Sequence, residues 1–355
     1  VEVQATLERA AADPDRVLRA HGLELWLLHA SPELLPTVAA RALWDPDPWV
    51  QRRAVHAVAD RLPLPAARAA LLELALRDSA RPDVACAAAL AVAEASPDPA
   101  VTARAAALAG PGRALWRRGP CALAALAGGD PAMVPILDEV LREGAIPVDL
   151  PFVEALGRHL PPASDPALLT ALDEADELMA LPLMVLLLER AHPRGEAALR
   201  AALEGEDPEL RDGAVEALSR SGRPEAVPLL RRAAEGADPA AQLAQIELAV
   251  RGAGPAAPLE LALAGDDADL QVEAWAAIRR ALARGGEVDR AAARLAERHG
   301  AGALRAEDPA VRAAALRALA ALEGGGPKSL ARERLADDEP EVALAAAEAV
   351  LRWAR

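Results

Sequence analysis

Tyrosine is absent from this sequence, phenylalanine occurs once (Phe152) and lysine once (Lys328). A core built on bulky aromatic side chains is therefore excluded, and nearly all positive charge falls to arginine. Runs of Val, Ile and Thr alternating with polar residues do not occur, which removes the usual strand signal. The most apolar run, Leu178–Leu188, spans 11 residues and contains Pro182. It is too short to cross a bilayer and reads as a buried helix. The opening VEVQATLERA lacks a basic flank followed by an apolar segment, so no signal peptide is visible and a cytoplasmic location is expected.

Several chemistries are missing as well. None of the six histidines (His21, His29, His56, His159, His192 and His299) is followed by Glu, and no HExxH, CxxC or two-His cluster occurs. No metal or cofactor is expected, because a zinc site needs such convergent ligands. Two cysteines, Cys86 and Cys121, make no disulfide framework. Gly324-Gly325-Gly326-Pro327-Lys328-Ser329 lacks the order of a phosphate loop and reads as a linker. GxSxG is absent, and Ser219 and Ser221 have no neighbouring histidine in sequence to act as base.

The formal charge is −15, and residues 161–355 hold most of the excess acid. A field of that sign disfavours undirected binding to nucleic acid or anionic lipid, so no membrane partner is expected.

What is present is a recurrence. Asp47-Pro48, Asp207-Pro208, Asp308-Pro309 and Glu339-Pro340 each precede a helical stretch. An acidic N-cap accepts from free backbone N–H groups, and proline at the first helical position sacrifices no bond. Three, seven and eleven residues past the cap come large apolar, Ala, large apolar. The sets are Val50/Ala54/Val58, Leu210/Ala214/Leu218, Leu270/Ala274/Ile278, Val311/Ala315/Leu319 and Val342/Ala346/Val350, with Val84/Ala88/Val92 counted from Arg81. Steps of four place each set on one stripe, and the central alanine admits a neighbouring helix closely.

Shorter apolar segments lie between: Pro65–Arg77, Pro224–Glu235, Ala256–Ala264, Val288–His299 and Pro327–Ala336. Gly205, Gly222, Gly236, Gly265, Gly285-Gly286 and Gly324-Gly325-Gly326 read as turns or glycine C-caps. The unit is a helical hairpin of roughly 30 to 40 residues. About eleven hairpins make one all-α array over 1–355, an α-solenoid, with clear register in 33–95 and 193–355. In 97–192 Asp98, Asp130 and Asp165 start the other helix of the pair. The two cysteines stand about one repeat apart and are expected as near neighbours in adjacent units.

The segments DPELRDGAVEAL (207–218), DPAVRAAALRAL (308–319) and DPWVQRRAVHAV (47–58) resemble the HEAT-like repeat family, in its short bacterial form also found in phycobilin lyases. The resemblance covers most of the chain and implies a right-handed superhelix in which an Arg after the proline turn ties neighbouring repeats. Arg211 and Arg312 match that Arg, whereas Gln51, Gln271 and Ala343 depart from it. Family branches with chemistry fit less well. HEAT-like iron hydroxylases use paired His-Glu steps, absent here, and a tetrapyrrole pocket would favour tyrosine. HEAT-like DNA glycosylases use a cationic face with aromatics, for which Trp49/Arg52/Arg53/His56 and Trp116/Arg117/Arg118 are the nearest matches.

Positions five, nine and thirteen past the cap fall on a face beside the stripe. They are Arg52/His56/Asp60 and Asp212/Glu216/Arg220, followed by Arg280, Arg317 and Glu348/Arg352. Their signs alternate, as a mixed-charge protein or peptide surface would select and a phosphate backbone would not; the same pattern also suits an ordinary solvated face. The expectation is a non-catalytic scaffold or adaptor binding a protein or peptide on the concave face. Candidate residues are Trp49, Arg52, Arg53, His56, Asp212, Glu216, Arg220, Arg280 and Arg317, with nucleic-acid binding through the Trp/Arg patches as the alternative.

Overall fold

Carboxylates set the helix starts. Asp47 accepts from the Trp49 amide, Asp207 from Glu209 and Leu210, and Asp308 from Ala310, each with proline next in line. These bonds satisfy donors that a helix leaves open at its first turn. Glu339 departs from the expectation: its longer side chain makes no cap bond, and Asp337 accepts the Glu339 amide at 3.2 Å instead.

The computed structural model describes residues 2–145, 150–283, 290–322 and 327–354. Among them the helices are α1 (Glu2–Ala10), α2 (Arg16–His29), α3 (Leu35–Leu43), α4 (Pro48–Ala59), α5 (Pro65–Leu76), α6 (Pro82–Ala95), α7 (Pro99–Leu108), α8 (Leu115–Ala127), α9 (Val134–Arg142), α10 (Leu150–His159), α11 (Asp165–Glu174), α12 (Glu177–Glu189), α13 (Pro193–Glu204), α14 (Pro208–Arg220), α15 (Ala226–Ala233), α16 (Pro239–Val250), α17 (Ala257–Ala264), α18 (Ala268–Ala283), α19 (Arg290–Ala303), α20 (Pro309–Ala321), α21 (Lys328–Glu333) and α22 (Pro340–Trp353). No strand occurs among the described residues, and no helix there is long and apolar enough to cross a membrane. Gly285-Gly286, Val288 and Gly324-Gly325-Gly326 lie outside the described residues.

The fold is all-α, and its helices pack as two compact units. Ala11–Gly195 forms one. There α2, α4, α6, α8, α10 and α12 pack successively as a first layer, with odd-numbered helices between them in a second. Glu196 onward, together with the first ten residues, forms the other. Its first layer runs α14, α16, α18, α20, α22, and α1 packs on α22 with Leu7 buried. Apart from that packing of α1 on α22, which joins segments distant in sequence, each unit is a stretch of α-solenoid stabilised by contacts between adjacent hairpins.

The stripe lies where the layers touch. Val50, Ala54, Val58, Val84, Ala88, Val92, Val311, Ala315 and Leu319 are all buried, while Leu210, Leu270 and Val350 are half-buried. The register change in 97–192 has a structural basis. Asp98, Asp130 and Asp165 stand at α7, at the 3-10 turn before α9 and at α11, all second-layer elements. Gly265 is the C-cap of α17, and Gly205, Gly222 and Gly236 stand in the connections between helices, as expected, but none of them takes positive φ; Gly129, Gly144 and Gly252 do, just past α8, α9 and α16. At Gly205 and Gly265 the helix end passes so close that an added Cβ would lie 3.3 and 3.0 Å from the Ala201 and Leu261 carbonyl oxygens.

Arginines bind the repeats together at two recurring places. The residue four past the cap returns to the carbonyl two before it: Arg312 to Ala306 at 2.9 Å and Arg19 to Asp13 at 2.7 Å. Gln51 makes the same bond to Asp45 at 2.8 Å, and Gln271 reaches Gly265. Arg19 and Arg312 also bridge to Asp45 and Asp337 of the next repeat, both at 2.9 Å, and Arg211 to Asp238. Glutamine therefore retains the bond within the turn and forgoes the ion pair between turns. A second set closes helix C-termini. Arg61 donates to the carbonyls of Leu27, Leu28 and Ala30, and Arg251 to those of Leu218, Ser219 and Ser221.

Candidate functional site

The first layer of the Ala11–Gly195 unit holds a cleft of about 800 Å³, walled by α4, α6, α8 and α10. Arg52, His56 and Asp60, spaced four apart on and just past α4, all line it. The same offsets counted from Arg81 give Cys86, Leu90 and Glu94 on α6, and these line it too. Small residues make the room: Ala59, Ala87, Ala91 and Ala95 face the space where longer side chains would fill it. Trp116 and Pro120 come from α8, and Phe152, Glu154 and Arg158 from α10.

Most charges in the cleft are paired between helices. Arg52 bridges to Asp83 at 2.9 Å. Glu94 receives Arg158 at 2.7 Å and meets the His159 ring at 2.9 Å. Burial works to raise the Glu94 pKa, but the hydrogen bonds from Arg158 and His159 outweigh it and hold the carboxyl below its ordinary range. Asp60 goes the other way. Partial burial raises it, His56 opposes and Glu24 adds to the rise, although the side chain keeps one side open to solvent. Neither Asp60 nor Glu154 forms an ion pair among the described residues.

Trp116 is 53% exposed, the largest apolar surface in the cleft wall, with Arg117 over its ring at 4.6 Å. Pro120 sits inside α8 and has no N–H, so the Trp116 carbonyl lacks its ordinary helical donor. Arg118 turns away from this patch, to the Ala109 carbonyl at 2.9 Å and Glu139 at 3.4 Å.

Beneath the cleft Cys86 and Cys121 are bonded, S–S 2.12 Å, joining α6 to α8. Neighbourhood of the two was expected from their spacing; the bond was not, because a lone pair in an Ala-rich helix is also good packing material.

The remaining candidates are distributed elsewhere. Trp49 is half-buried on the core, with Arg16 over its ring at 5.7 Å and Arg53 at 5.5 Å, and Arg53 is bound to Glu24. Neither lines the cleft. In the other unit Asp212, Glu216 and Arg280 share a hollow of about 200 Å³ with Ser219, Leu243 and Glu273. Arg220 pairs with Glu216 one turn away. Arg280 lies 3.8 Å from Glu247, which is buried and held by Arg251 at 2.9 Å. Arg317 bridges to Glu341 at 2.9 Å. No group of three or more ligating side chains suited to a metal occurs among the described residues.

Residues 166–251 match the family model for HEAT repeats. That segment is a HEAT-repeat array. It contains Asp212, Glu216 and Arg220, while the larger cleft precedes it. No curated protein matches the chain. Among solved structures the chain is similar to the karyopherin Kap121p bound to the SUMO protease Ulp1p, with 15% identity, 98% of this chain and 40% of that one covered, and a TM-score of 0.37. It is similar to importin beta at 13% identity, covering 99% and 57%, with a TM-score of 0.34. Human deoxyhypusine hydroxylase matches at 20% identity over 91% and 97%, TM-score 0.25. The chain thus spans about half the length, or less, of the karyopherins first matched. At these scores the likenesses carry no argument about activity.

Proposed function

We propose that the chain is a non-catalytic scaffold or adaptor, a single array of HEAT-like hairpins that binds a partner protein or peptide on its first-layer face. The observation behind this reading is the cleft on α4, α6, α8 and α10. Charged side chains of both signs surround an apolar floor, and an exposed tryptophan stands in the wall. Aromatic and arginine anchors in such a setting dominate protein interfaces. With four carboxylates against two guanidiniums, the lining disfavours a phosphate backbone, which speaks against the nucleic-acid alternative. The bonded cysteines favour an oxidising compartment over the cytoplasm, since such bonds persist chiefly there.

A photo-reactive benzoylphenylalanine at Ala95, in the cleft, tests the reading against the same group at Leu76, exposed on α5 in the second layer. Protein adducts formed in extracts of the source cells from Ala95 and not from Leu76 support it. Equal yields at both positions, or none at Ala95, contradict it.

A further inference from the structure

Carboxylates outnumber guanidiniums in the lining of the cleft. Asp60, Asp83, Glu94 and Glu154 line it against Arg52 and Arg158. Both guanidiniums are committed, Arg52 to Asp83 and Arg158 to Glu94. Asp60 and Glu154 are left without an ion pair among the described residues. The charged lining groups left without an ion pair are therefore carboxylates, beside the His56 ring and the Trp116 indole, and they surround aliphatic and aromatic surface from Leu62, Leu90, Phe152 and Trp116. A chemical group that answers both features is a side chain with an apolar stem and a cationic, donor-rich head.

The geometry also bears on how many such groups. Asp60 follows α4 and Glu154 lies on α10, the two outer helices of the four that form the cleft. One side chain is not required to meet both. A segment crossing the cleft with a base toward each end would meet each in turn. The volume of about 800 Å³ is within the range of roughly 300–1,000 Å³ typical of ligand pockets. It suits a short stretch of polypeptide and is too small to enclose a folded domain.

We infer that the cleft takes a basic, arginine-bearing segment of a partner polypeptide, with guanidinium groups on Asp60 and Glu154 and stems over Leu62, Leu90 and Trp116. This deepens the scaffold reading and rests on it for the partner being a protein. Arginine suits the site because its planar head can both pair with a carboxylate and lie on an indole face.

The test uses a fluorescein-labelled decapeptide of alternating Arg and Ala, read by fluorescence anisotropy on the full chain. Matching peptides carry citrulline or Glu in place of Arg. Because the chain is acidic throughout, a control variant must remove the same charge elsewhere. Glu33→Gln/Glu143→Gln does so at exposed positions of the same unit, outside the cleft. The expected result is binding of the Arg peptide at least tenfold tighter than the other two. Asp60→Asn/Glu154→Gln should weaken it at least tenfold and the control variant less than twofold. Equal weakening by the two variants, no weakening by either, or equal binding of the citrulline peptide would overturn the proposal. Crosslinking at Ala95 separates its failure from that of the scaffold reading. Partner adducts that persist undiminished in Asp60→Asn/Glu154→Gln overturn the basic segment and leave the scaffold standing. Tight, cleft-dependent peptide binding with no adducts in cell extracts supports the site and overturns the scaffold.

Discussion

The two units apply one set of offsets to opposite ends. In Ala11–Gly195, positions five, nine and thirteen past the cap open onto a space of about 800 Å³; in the other unit they border one of about 200 Å³. The difference lies in what surrounds them. α6 presents Ala87, Ala91 and Ala95, and its charges pair with other helices, Asp83 with Arg52 and Glu94 with Arg158. In the other unit Leu243, Glu273 and Arg280 border the hollow, Glu216 pairs with Arg220 on its own helix, and Arg280 faces Glu247 of α16. Alanines between the charged side chains leave the first face open, whereas longer side chains border the second.

The contrast can be broken most severely by placing a charge on each surface. Ala315 is fully buried on the stripe, whereas Ala95 is exposed in the cleft. Ala315→Asp buries an unpaired carboxylate, and a loss beyond about 4 kcal/mol is expected. Ala95→Asp should change stability by less than about 0.5 kcal/mol. Thermal melts of both decide: a parent-like melt for Ala315→Asp would mean the stripe does not face a neighbour.

Next in size is the disulfide. Its two cysteines lie 35 residues apart, so removing the bond in Cys86→Ala/Cys121→Ala releases a loop worth about 3–4 kcal/mol. Differential scanning calorimetry should show the loss in the Ala11–Gly195 unit alone. Titration of the denatured, unreduced protein should find no free thiol; two free thiols would contradict the bonded pair and the oxidising location inferred from it.

The other unit has its own buried feature to match. Glu247→Gln removes the carboxylate facing Arg251 and Arg280 and should cost about 3 kcal/mol, leaving the cleft of the first unit unaltered. Urea denaturation followed by circular dichroism measures it, and a change under about 0.5 kcal/mol would show the network to be dispensable.

The smallest effect is set by pH. Glu94 is held below its ordinary range in the fold, so it adds stability above that range, which is lost as pH falls through the lowered value. With the group partly exposed, Glu94→Gln should cost about 1 kcal/mol at pH 7 and nothing near pH 2. Asp60 is raised and has the opposite sign: the fold gains as acid protonates it, so Asp60→Asn should be neutral or slightly stabilising at pH 7. Urea midpoints at the two pH values check both variants, and a penalty for Glu94→Gln that persists in acid would contradict the pairing.

Much of this was legible in the sequence because it follows local rules. Asp-Pro caps, the alanine-centred stripe and the changed role of Asp98, Asp130 and Asp165 depend on one helix at a time. The link between neighbours was legible only where Arg211 and Arg312 stood. Gln51 and Gln271 looked like departures, yet they keep the turn bond because an amide can reach the same carbonyl. In the cleft, Arg52, His56 and Asp60 followed from their offsets, and Glu94 was within reach of the same rule counted from Arg81. Glu154, Arg158 and Phe152 were not, since α10 has no Asp-Pro start from which to count. Trp49 and Arg53, grouped with Arg52 by sequence proximity, stand outside the cleft: consecutive helix positions point apart, and Arg53 goes to Glu24 while Arg52 goes to Asp83.

Hydrogen–deuterium exchange with and without a saturating amount of the Arg–Ala decapeptide tests the account most directly. It predicts slowed exchange in the segments covering α4, α6, α8 and α10, and no change over α14 to α18. Protection over α14 to α18 instead, or bound peptide with no protection on the four cleft helices, would contradict it.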